Sequence, residues 1–291
     1  MPIEIGTKAS LDAEMHCLDR IAQLGFPCAQ VSSSRAELRT MENARALKRR
    51  AAELGVRLTS FGTLGPGPLR WDFTYGPSTQ GLVPPAWRAM RVDSLCRWAE
   101  FAAEAGIPAI LTHAGFLPEN PADPEYPAIV EAIAAVGKRC KQLGLGFWFE
   151  TGQETPVALL RHILATGLDN LGVNLDPANL VMYGKGSPVD AVAVYGRFVR
   201  AMHAKDGKPP TCEMLKLPGG LVETIGPETP IGQGAVDFRK LLPALVAAGF
   251  DGPILIEREI IGPEKERDVL AAHDLLHSIL ASLGPVKGRK A

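Results

Sequence analysis

The sequence has no excess of one charge, no apolar run long enough to cross a membrane, and no closely spaced cysteine pair. With 31 Lys and Arg against 32 Asp and Glu, its formal net charge is −1, so it lacks the basic face of an avid nucleic-acid-binding protein. A spanning helix needs about 20 consecutive apolar residues. The N-terminus also lacks a signal-peptide core. We therefore expect no nucleic-acid partner and no membrane association.

Cysteine is scarce, and two nucleotide-binding motifs are missing. The five cysteines form no C-x-x-C pair, and their odd number suits a reducing compartment better than a disulfide framework. No G-x-G-x-x-G or G-x-x-x-x-G-K-[ST] motif occurs, so nothing favours a dinucleotide or Walker-type site. The sequence predicts a cytoplasmic protein that acts on a small molecule.

Short β-rich runs alternate with longer amphipathic segments along the whole chain. The predicted strands are residues 3–6, 28–32, 56–61, 109–113, 146–150, 171–176, 199–203 and 253–257. The predicted helices are residues 11–24, 36–54, 85–105, 123–143, 154–166, 188–195, 236–248 and 264–283. Eight βα units in 291 residues indicate a single-domain (β/α)8 TIM barrel, with an open doubly wound sheet as the alternative. We expect the tail from about residue 285 to be disordered.

Polar residues end the last four predicted strands: Glu150, Asp176, His203 and Glu257. Chemistry in a TIM barrel lies at the carboxyl ends of its strands, where the side chains of neighbouring strands converge. Three carboxylates and an imidazole form a suitable ligand set for Mn²⁺, Mg²⁺, Co²⁺ or Zn²⁺. Any one of these residues alone is more often a helix cap or an ion-pair partner. Four on adjacent strands favour a metal site.

The local sequence around these residues resembles that of the sugar phosphate isomerase/epimerase family of the xylose-isomerase-like TIM barrels. Members of that family include D-tagatose 3-epimerase, hydroxypyruvate isomerase and inosose dehydratase. The resemblance lies in residues 150–156, 172–179, 203–206, 232–238 and 252–257. It implies one divalent metal ion, Mn²⁺ first, held by Glu150, Asp176, His203 and Glu257. Its relatives also make a homo-oligomer an open expectation.

A metal that binds a sugar carbonyl and the neighbouring hydroxyl makes the adjacent C–H acidic and stabilises the resulting enediolate. Glu150 and Glu257, approaching from opposite sides, would remove and return the proton. Two such groups allow a stereocentre to invert. A single group moving a proton between neighbouring carbons would interconvert aldose and ketose. The sequence therefore predicts a sugar isomerase or epimerase.

Several other side chains are expected near this rim and are candidates for binding the sugar. They are Trp71, His113, Phe116, Gln153, Asn179, Lys205 and Asp206. These side chains also have structural explanations. An isolated histidine is commonly a core residue with satisfied hydrogen bonds, and the adjacent Lys205 and Asp206 could pair with each other. The aromatic side chains could pack the long loop at residues 62–84 onto the barrel. Asn179 stands where related epimerases place a substrate-binding histidine, which implies altered substrate contacts.

Three other functions compete with this prediction. A lyase or dehydratase of a keto-sugar or inosose would share the first step and then expel a leaving group. An endonuclease IV-like hydrolase is the distant alternative, because that enzyme uses a histidine-rich three-metal cluster whose extra ligands are missing here. A non-catalytic sugar-binding barrel would not need both glutamates.

Overall fold

The computed structural model describes residues 3–211 and 225–283. The tail beyond residue 285, for which we expect disorder, lies outside these ranges. Among the described residues, no helix combines the length and apolar character needed to cross a bilayer.

Eight parallel strands close into a barrel in the order β1-β10-β7-β6-β5-β4-β3-β2. These strands are β1 (Ile5–Ser10), β2 (Cys28–Ser32), β3 (Arg57–Gly62), β4 (Ala109–His113), β5 (Gly146–Glu150), β6 (Leu171–Leu175), β7 (Val199–Ala204) and β10 (Ile254–Ile256). Two further strands, β8 (Asp206–Gly207) and β9 (Glu228–Thr229), form a small antiparallel pair above the rim. The predicted TIM barrel is confirmed, and the alternative of an open sheet is wrong.

Helices follow the strands and surround the barrel. The described helices are α1 (Asp19–Gln23), α2 (Met41–Leu54), α3 (Gly76–Thr79), α4 (Pro85–Ala105), α5 (Tyr126–Gln142), α6 (Pro156–Ala165), α7 (Pro177–Met182), α8 (Pro188–Tyr195), α9 (Phe238–Ala247) and α10 (Glu264–Ser282). Short 3₁₀ turns occupy His16–Leu18, Ala36–Leu38 and Gly196–Phe198.

Local sequence signals explain where the helices begin and end. The hydroxyl of Thr40 accepts a hydrogen bond from the backbone N–H of Asn43 at the start of α2, which satisfies one of the free donors of the first turn. The same helix ends at Gly55, whose φ of 67° is left-handed and favours glycine. Thr155 caps α6 in the same manner as Thr40 caps α2.

Several segments differ from the sequence-based expectation. The helix predicted over residues 36–54 is divided into the 3₁₀ turn Ala36–Leu38 and α2, because Thr40 is extended and caps α2. The first strand is Ile5–Ser10, four residues longer at its carboxyl end than the predicted 3–6. The helix predicted over residues 11–24 is reduced to a 3₁₀ turn and the five-residue α1. After β6, where we expected a proline turn, α7 begins at Pro177, because proline suits the first helical position and Asp176 caps it.

Most of the apolar core lies between the sheet and the helices. Inside the barrel, Cys28, Ala201 and Leu255 form a separate small cluster against Trp148. These side chains pack part of the barrel interior. The barrel interior is therefore packed below the carboxyl ends of the strands.

Candidate metal centre

The four predicted ligands meet at the carboxyl ends of neighbouring strands. Glu150 is the last residue of β5, Asp176 directly follows β6, His203 lies in β7, and Glu257 directly follows β10. One ligand atom from each side chain lies within 4.8 Å of all the others. All four side chains are buried. The convergence expected from the strand order is present in the structure.

The imidazole of His203 is oriented by a residue that the sequence analysis missed. Its Nε2 lies 2.8 Å from Oε1 of Gln30, on β2 at the other side of the barrel. An amide oxygen only accepts hydrogen bonds, so Nε2 carries the proton and donates it. Nδ1 then faces the carboxylates, 3.0 Å from Glu150 Oε1 and 2.9 Å from Glu257 Oε2. Such a bond on the far nitrogen commonly fixes a metal-binding histidine.

Asp176 acts as a helix cap and also faces the cluster. Its Oδ1 accepts the backbone N–H of Asn179 at 3.0 Å. Its Oδ2 is buried and has no hydrogen-bond partner among the described residues, and the Lys205 ammonium lies 3.9 Å away. An unpartnered buried carboxylate oxygen is costly unless a cation completes its surroundings. This oxygen and the three other ligands fit a divalent metal ion.

Two lysines balance the negative charge of the cluster. Nζ of Lys8, on β1, donates to Glu257 Oε1 at 2.5 Å. Lys205 donates to Glu259 Oε2 at 2.7 Å. The sequence analysis placed the first strand too early, so Lys8 fell in a loop instead of at an inward-facing strand position. Two sequence signals could have identified these site residues: Lys8 is a lysine in a β-rich run, and Gln30 is a glutamine inside an apolar strand.

The charges inside the cluster shift the pKa of every ligand. Burial raises the pKa of Glu150, but the nearby positive charges, that of the His203 imidazole foremost, outweigh it and hold the pKa well below its ordinary range. Burial also raises the pKa of Glu257, but the nearby positive charges, that of Lys8 foremost, outweigh this effect and lower the pKa. Burial lowers the pKa of His203, yet the glutamates raise it to about 9. Both glutamates are therefore ionised and His203 is protonated at neutral pH.

Asp176 has the opposite shift, because burial raises its pKa to about 7. The Lys205 ammonium acts against this effect without overcoming it. A metal ion would displace any proton held by this carboxylate or by the His203 imidazole.

Two lobes of one cavity open over the cluster. The larger, about 330 Å³, lies above β1 to β4, and the smaller, about 210 Å³, lies above β5 to β7. Trp71, His113, Glu150 and Glu259 line both lobes. Of the four cluster residues, Glu150 and Glu257 line the larger lobe and Glu150 also lines the smaller, so both glutamates face space for a small molecule.

Five of the seven predicted substrate-binding residues line this cavity: Trp71, His113, Gln153, Asn179 and Lys205. Trp71 packs edge-on against the His113 ring at 5.0 Å. Nδ1 of His113 has no hydrogen-bond partner in the described part of the chain, and burial lowers the pKa of this imidazole. His113 lines both lobes, and its neutral imidazole suits a contact with a sugar hydroxyl.

The structure does not bring Asp206 and Phe116 into the lining of these lobes. The carboxylate of Asp206 accepts the backbone N–H groups of Gly232, Gly234 and Val236 at 2.9 to 3.1 Å, so it holds the loop before α9. Phe116 packs against Phe73 and Tyr183 in an aromatic cluster. Asp206 is therefore not paired with Lys205, whose partner is Glu259.

The sequence and fold match known proteins over most of their length. A family model described as "Xylose isomerase-like TIM barrel" matches residues 18–279. The crystal structure of a xylose isomerase domain protein from Planctomyces limnophilus is 31% identical, covers 97% of this chain and 99% of its own, and superposes with a TM-score of 0.89. A D-tagatose 3-epimerase-like protein is 18% identical, with 96% and 98% coverage and a TM-score of 0.70, and shares the fold.

A curated relative gives a shorter match. Inosose dehydratase from Lacticaseibacillus casei is 24% identical over 149 residues, which is 47% of this chain and 48% of that protein. The match thus spans about half the length of the relative.

Proposed function

Because this chain belongs to the xylose isomerase-like TIM barrel family, we propose that it is a divalent-metal-dependent isomerase or epimerase of a sugar. One observation carries the proposal: two ionised glutamates, Glu150 and Glu257, flank one ligand cluster from strands that stand three positions apart around the rim. They therefore approach a substrate from different sides.

Glu150, Asp176, His203 and Glu257 would hold the metal ion, for which Mn²⁺ is the first candidate, followed by Mg²⁺, Co²⁺ and Zn²⁺. When bound, a divalent cation supplies Lewis acidity to a sugar carbonyl and its neighbouring hydroxyl, which lowers the pKa of the adjacent C–H. The set fits because three hard oxygen donors and one imidazole nitrogen converge and Asp176 Oδ2 has no hydrogen-bond partner among the described residues.

The two glutamates would transfer the proton. Their lowered pKa values keep both ionised, so either can accept a proton from the carbon beside the carbonyl. If the proton passes along the hydroxyl groups of the sugar from the first glutamate to the second and is then returned to carbon from the opposite face, the product is the epimer and both glutamates are ionised again. Return of the proton by the first glutamate, to the neighbouring carbon, exchanges the carbonyl and hydroxyl positions and gives the isomer.

The surrounding residues would orient these groups and the sugar. Lys8 holds Oε1 of Glu257, which leaves Oε2 facing the cluster. The His113 imidazole, which lines both lobes, would contact a sugar hydroxyl, and the Trp71 ring would cover an apolar face of the sugar. Gln153, Asn179 and Lys205 would contact the end of the sugar in the smaller lobe.

A dehydratase acting on an inosose or keto-sugar is the second candidate, and the sequence match with inosose dehydratase favours it. It would use the same proton removal. The electron pair left on carbon would then expel a hydroxide from the next carbon, with protonation to water by a nearby acid, instead of taking a proton back.

The two candidates are separated by the fate of the substrate carbon. Mn²⁺-loaded protein is incubated with ketoses, aldoses and inososes in D₂O and followed by NMR. Deuterium entering a sugar carbon without loss of water supports an isomerase or epimerase. A product lacking one water establishes the dehydratase. Chelation should abolish either reaction, and the absence of exchange or product with every compound contradicts both.

A further inference from the structure

The larger lobe reaches well beyond the metal ligands. From Glu150 and Glu257 it passes Trp71 and ends against the carboxyl ends of β1, β2 and β3. We call this end the distal arm and define it by Ser10, Ser33, Ser34, Arg35, Thr63 and Leu64. None of these residues has a part in the proton transfer described above.

The distal arm is lined by hydroxyl groups with hydrogen-bonding capacity to spare. Ser33 Oγ accepts the backbone N–H of Arg35 at 3.1 Å. Ser34 Oγ accepts the N–H of Leu64 at 3.0 Å and lies 3.4 Å from Thr63 Oγ1. A hydroxyl can donate once and accept twice, so each keeps at least one position for a ligand. Leu64 adds an apolar surface of the kind that packs against a sugar ring.

The charge of the arm favours an uncharged ligand. Arg35 supplies its positive charge, but Nε of that side chain donates to Glu37 Oε1 at 2.8 Å, and the guanidinium is largely exposed to solvent. An ion pair already formed in water offers little to an anion. The arm therefore presents neutral hydroxyls and apolar surface.

The size of the cavity also points to more than one ring. A lobe of about 330 Å³ falls in the range of about 300–1,000 Å³ typical of pockets that enclose drug-sized ligands, which are larger than a six-carbon sugar. The smaller lobe, on the opposite side of the ligands, gives a further 210 Å³. A sugar at the metal leaves the arm unfilled.

We propose that the distal arm is a second subsite that takes an uncharged, hydroxyl-bearing ring joined to the sugar at the metal centre. The substrate is then a glycosylated sugar and not a free monosaccharide. This inference rests on the proposed function for the identity of the sugar at the metal.

Keto-disaccharides test the subsite directly. Titration calorimetry of the Mn²⁺-loaded protein compares D-fructose with its glucosides maltulose, leucrose and isomaltulose, which keep a ketose and add a second ring at different positions. At least one should bind about tenfold or more tightly than fructose, since two or three extra hydrogen bonds suffice. Equal affinities, or no binding of any disaccharide, would overturn the proposal.

Substitutions in the distal arm test whether the higher affinity for disaccharides arises there. Ser10→Phe fills the arm from the end of β1 and should reduce the ratio of disaccharide to fructose affinity about tenfold, while Thr63→Val removes one hydroxyl at constant shape and should lower it about threefold. Ser278→Phe, on the exposed face of α10, is the control and should keep the wild-type ratio. Thermal unfolding checks that each variant is folded. An unchanged ratio in both arm variants would overturn the proposal.

Two further results separate the subsite from the chemistry. Tighter binding of fructose 6-phosphate than of every disaccharide would identify an anion site and overturn the neutral-ring assignment. Disaccharide binding that depends on Ser10, together with no deuterium exchange in any sugar, would support the subsite and contradict the proposed isomerase.

Discussion

At the scale of single residues, two contacts from outside the four-residue cluster orient its side chains. The hydrogen bond from His203 Nε2 to Gln30 directs Nδ1 toward the carboxylates, and the bond from Lys8 to Glu257 Oε1 leaves Oε2 on the cluster side. Both contacts come from the half of the barrel that contributes no ligand. Ligand orientation therefore depends on the closed ring of strands.

The first prediction concerns the two glutamates. Glu150→Gln or Glu257→Gln keeps the side-chain size but removes a base, so we expect turnover to fall about 10²- to 10⁴-fold. Deuterium exchange into the substrate measures the loss, and the bound metal content shows whether the ligand role survives. The exposed Glu264→Gln at the start of α10 is the matched control. Wild-type turnover in both cluster variants would refute the assignment.

The second prediction concerns Glu154, a buried carboxyl whose oxygens have no side-chain hydrogen-bond partner in the described structure. Burial raises its pKa to about 8. In the unfolded chain it ionises near 4.5, so between these values only the unfolded state loses its proton. The group therefore stabilises the fold fully below pH 4.5, and that contribution is lost as the pH rises to about 8.

Glu154→Gln removes this titration. The free energy of unfolding of the variant relative to wild type should increase by about 2–4 kcal/mol between pH 5 and pH 8. Urea unfolding at both pH values measures the change, and all other titrating groups cancel in the comparison. A difference that does not vary with pH would show that Glu154 is ionised in the folded protein.

At the scale of elements, the long loop between β3 and α4 receives four hydrogen bonds from one buried side chain of α4. The buried guanidinium of Arg91, in α4, donates to the carbonyl oxygens of Pro66, Pro68, Thr79 and Gly81. The loop in turn brings Trp71 to the cavity, where Tyr183 donates to its carbonyl oxygen at 2.9 Å. Arg91 thereby positions a cavity wall that it does not contact.

The third prediction follows from these four bonds. Arg91→Met leaves buried carbonyl groups unpaired and should lower the free energy of unfolding by about 3–5 kcal/mol. Protease cleavage within residues 62–84 should also become faster. Arg97→Met, at an exposed position of the same helix, should change stability by about 0.5 kcal/mol or less. Similar stability of the two variants would contradict the role given to Arg91.

Element boundaries decided which site residues could be predicted. Glu150, Asp176, His203 and Glu257 each end an apolar run, so a polar residue after a buried strand was visible in the sequence. Lys8 was missed because the first strand was predicted to end two residues before it. Asp206 follows β7 in the same manner as a site residue, but its carboxylate is occupied by backbone amides, which no sequence pattern revealed.

At the scale of the whole molecule, the fourth prediction is that metal binding stabilises the barrel. The ligands come from four strands, and a cation that binds only the folded chain at a hundred times its Kd adds about 2.7 kcal/mol. The melting temperature should therefore rise by roughly 5 °C or more with Mn²⁺. Differential scanning calorimetry with and without a chelator measures the shift.

The same shift should depend on pH. Without metal, His203 has a pKa of about 9 and Asp176 a pKa of about 7, so Mn²⁺ must displace more protons at pH 6.5 than at pH 8. At a fixed Mn²⁺ concentration the stabilisation should be larger at pH 8. Asp176→Asn, which retains an acceptor for the cap of α7, should lose most of the shift. A full shift in that variant would contradict the proposed ligand set.

The sequence by itself determined the alternation of strands and helices, the barrel, and the four polar strand ends that meet on one rim, because strand periodicity and polar strand ends are local in the chain. The tertiary structure alone decided which other groups serve that rim. Gln30 and His203 are 173 residues apart, and Lys8 and Glu257 are 249 apart. Closure of the barrel brings them together, and contacts across a closed ring leave no periodic trace in the sequence.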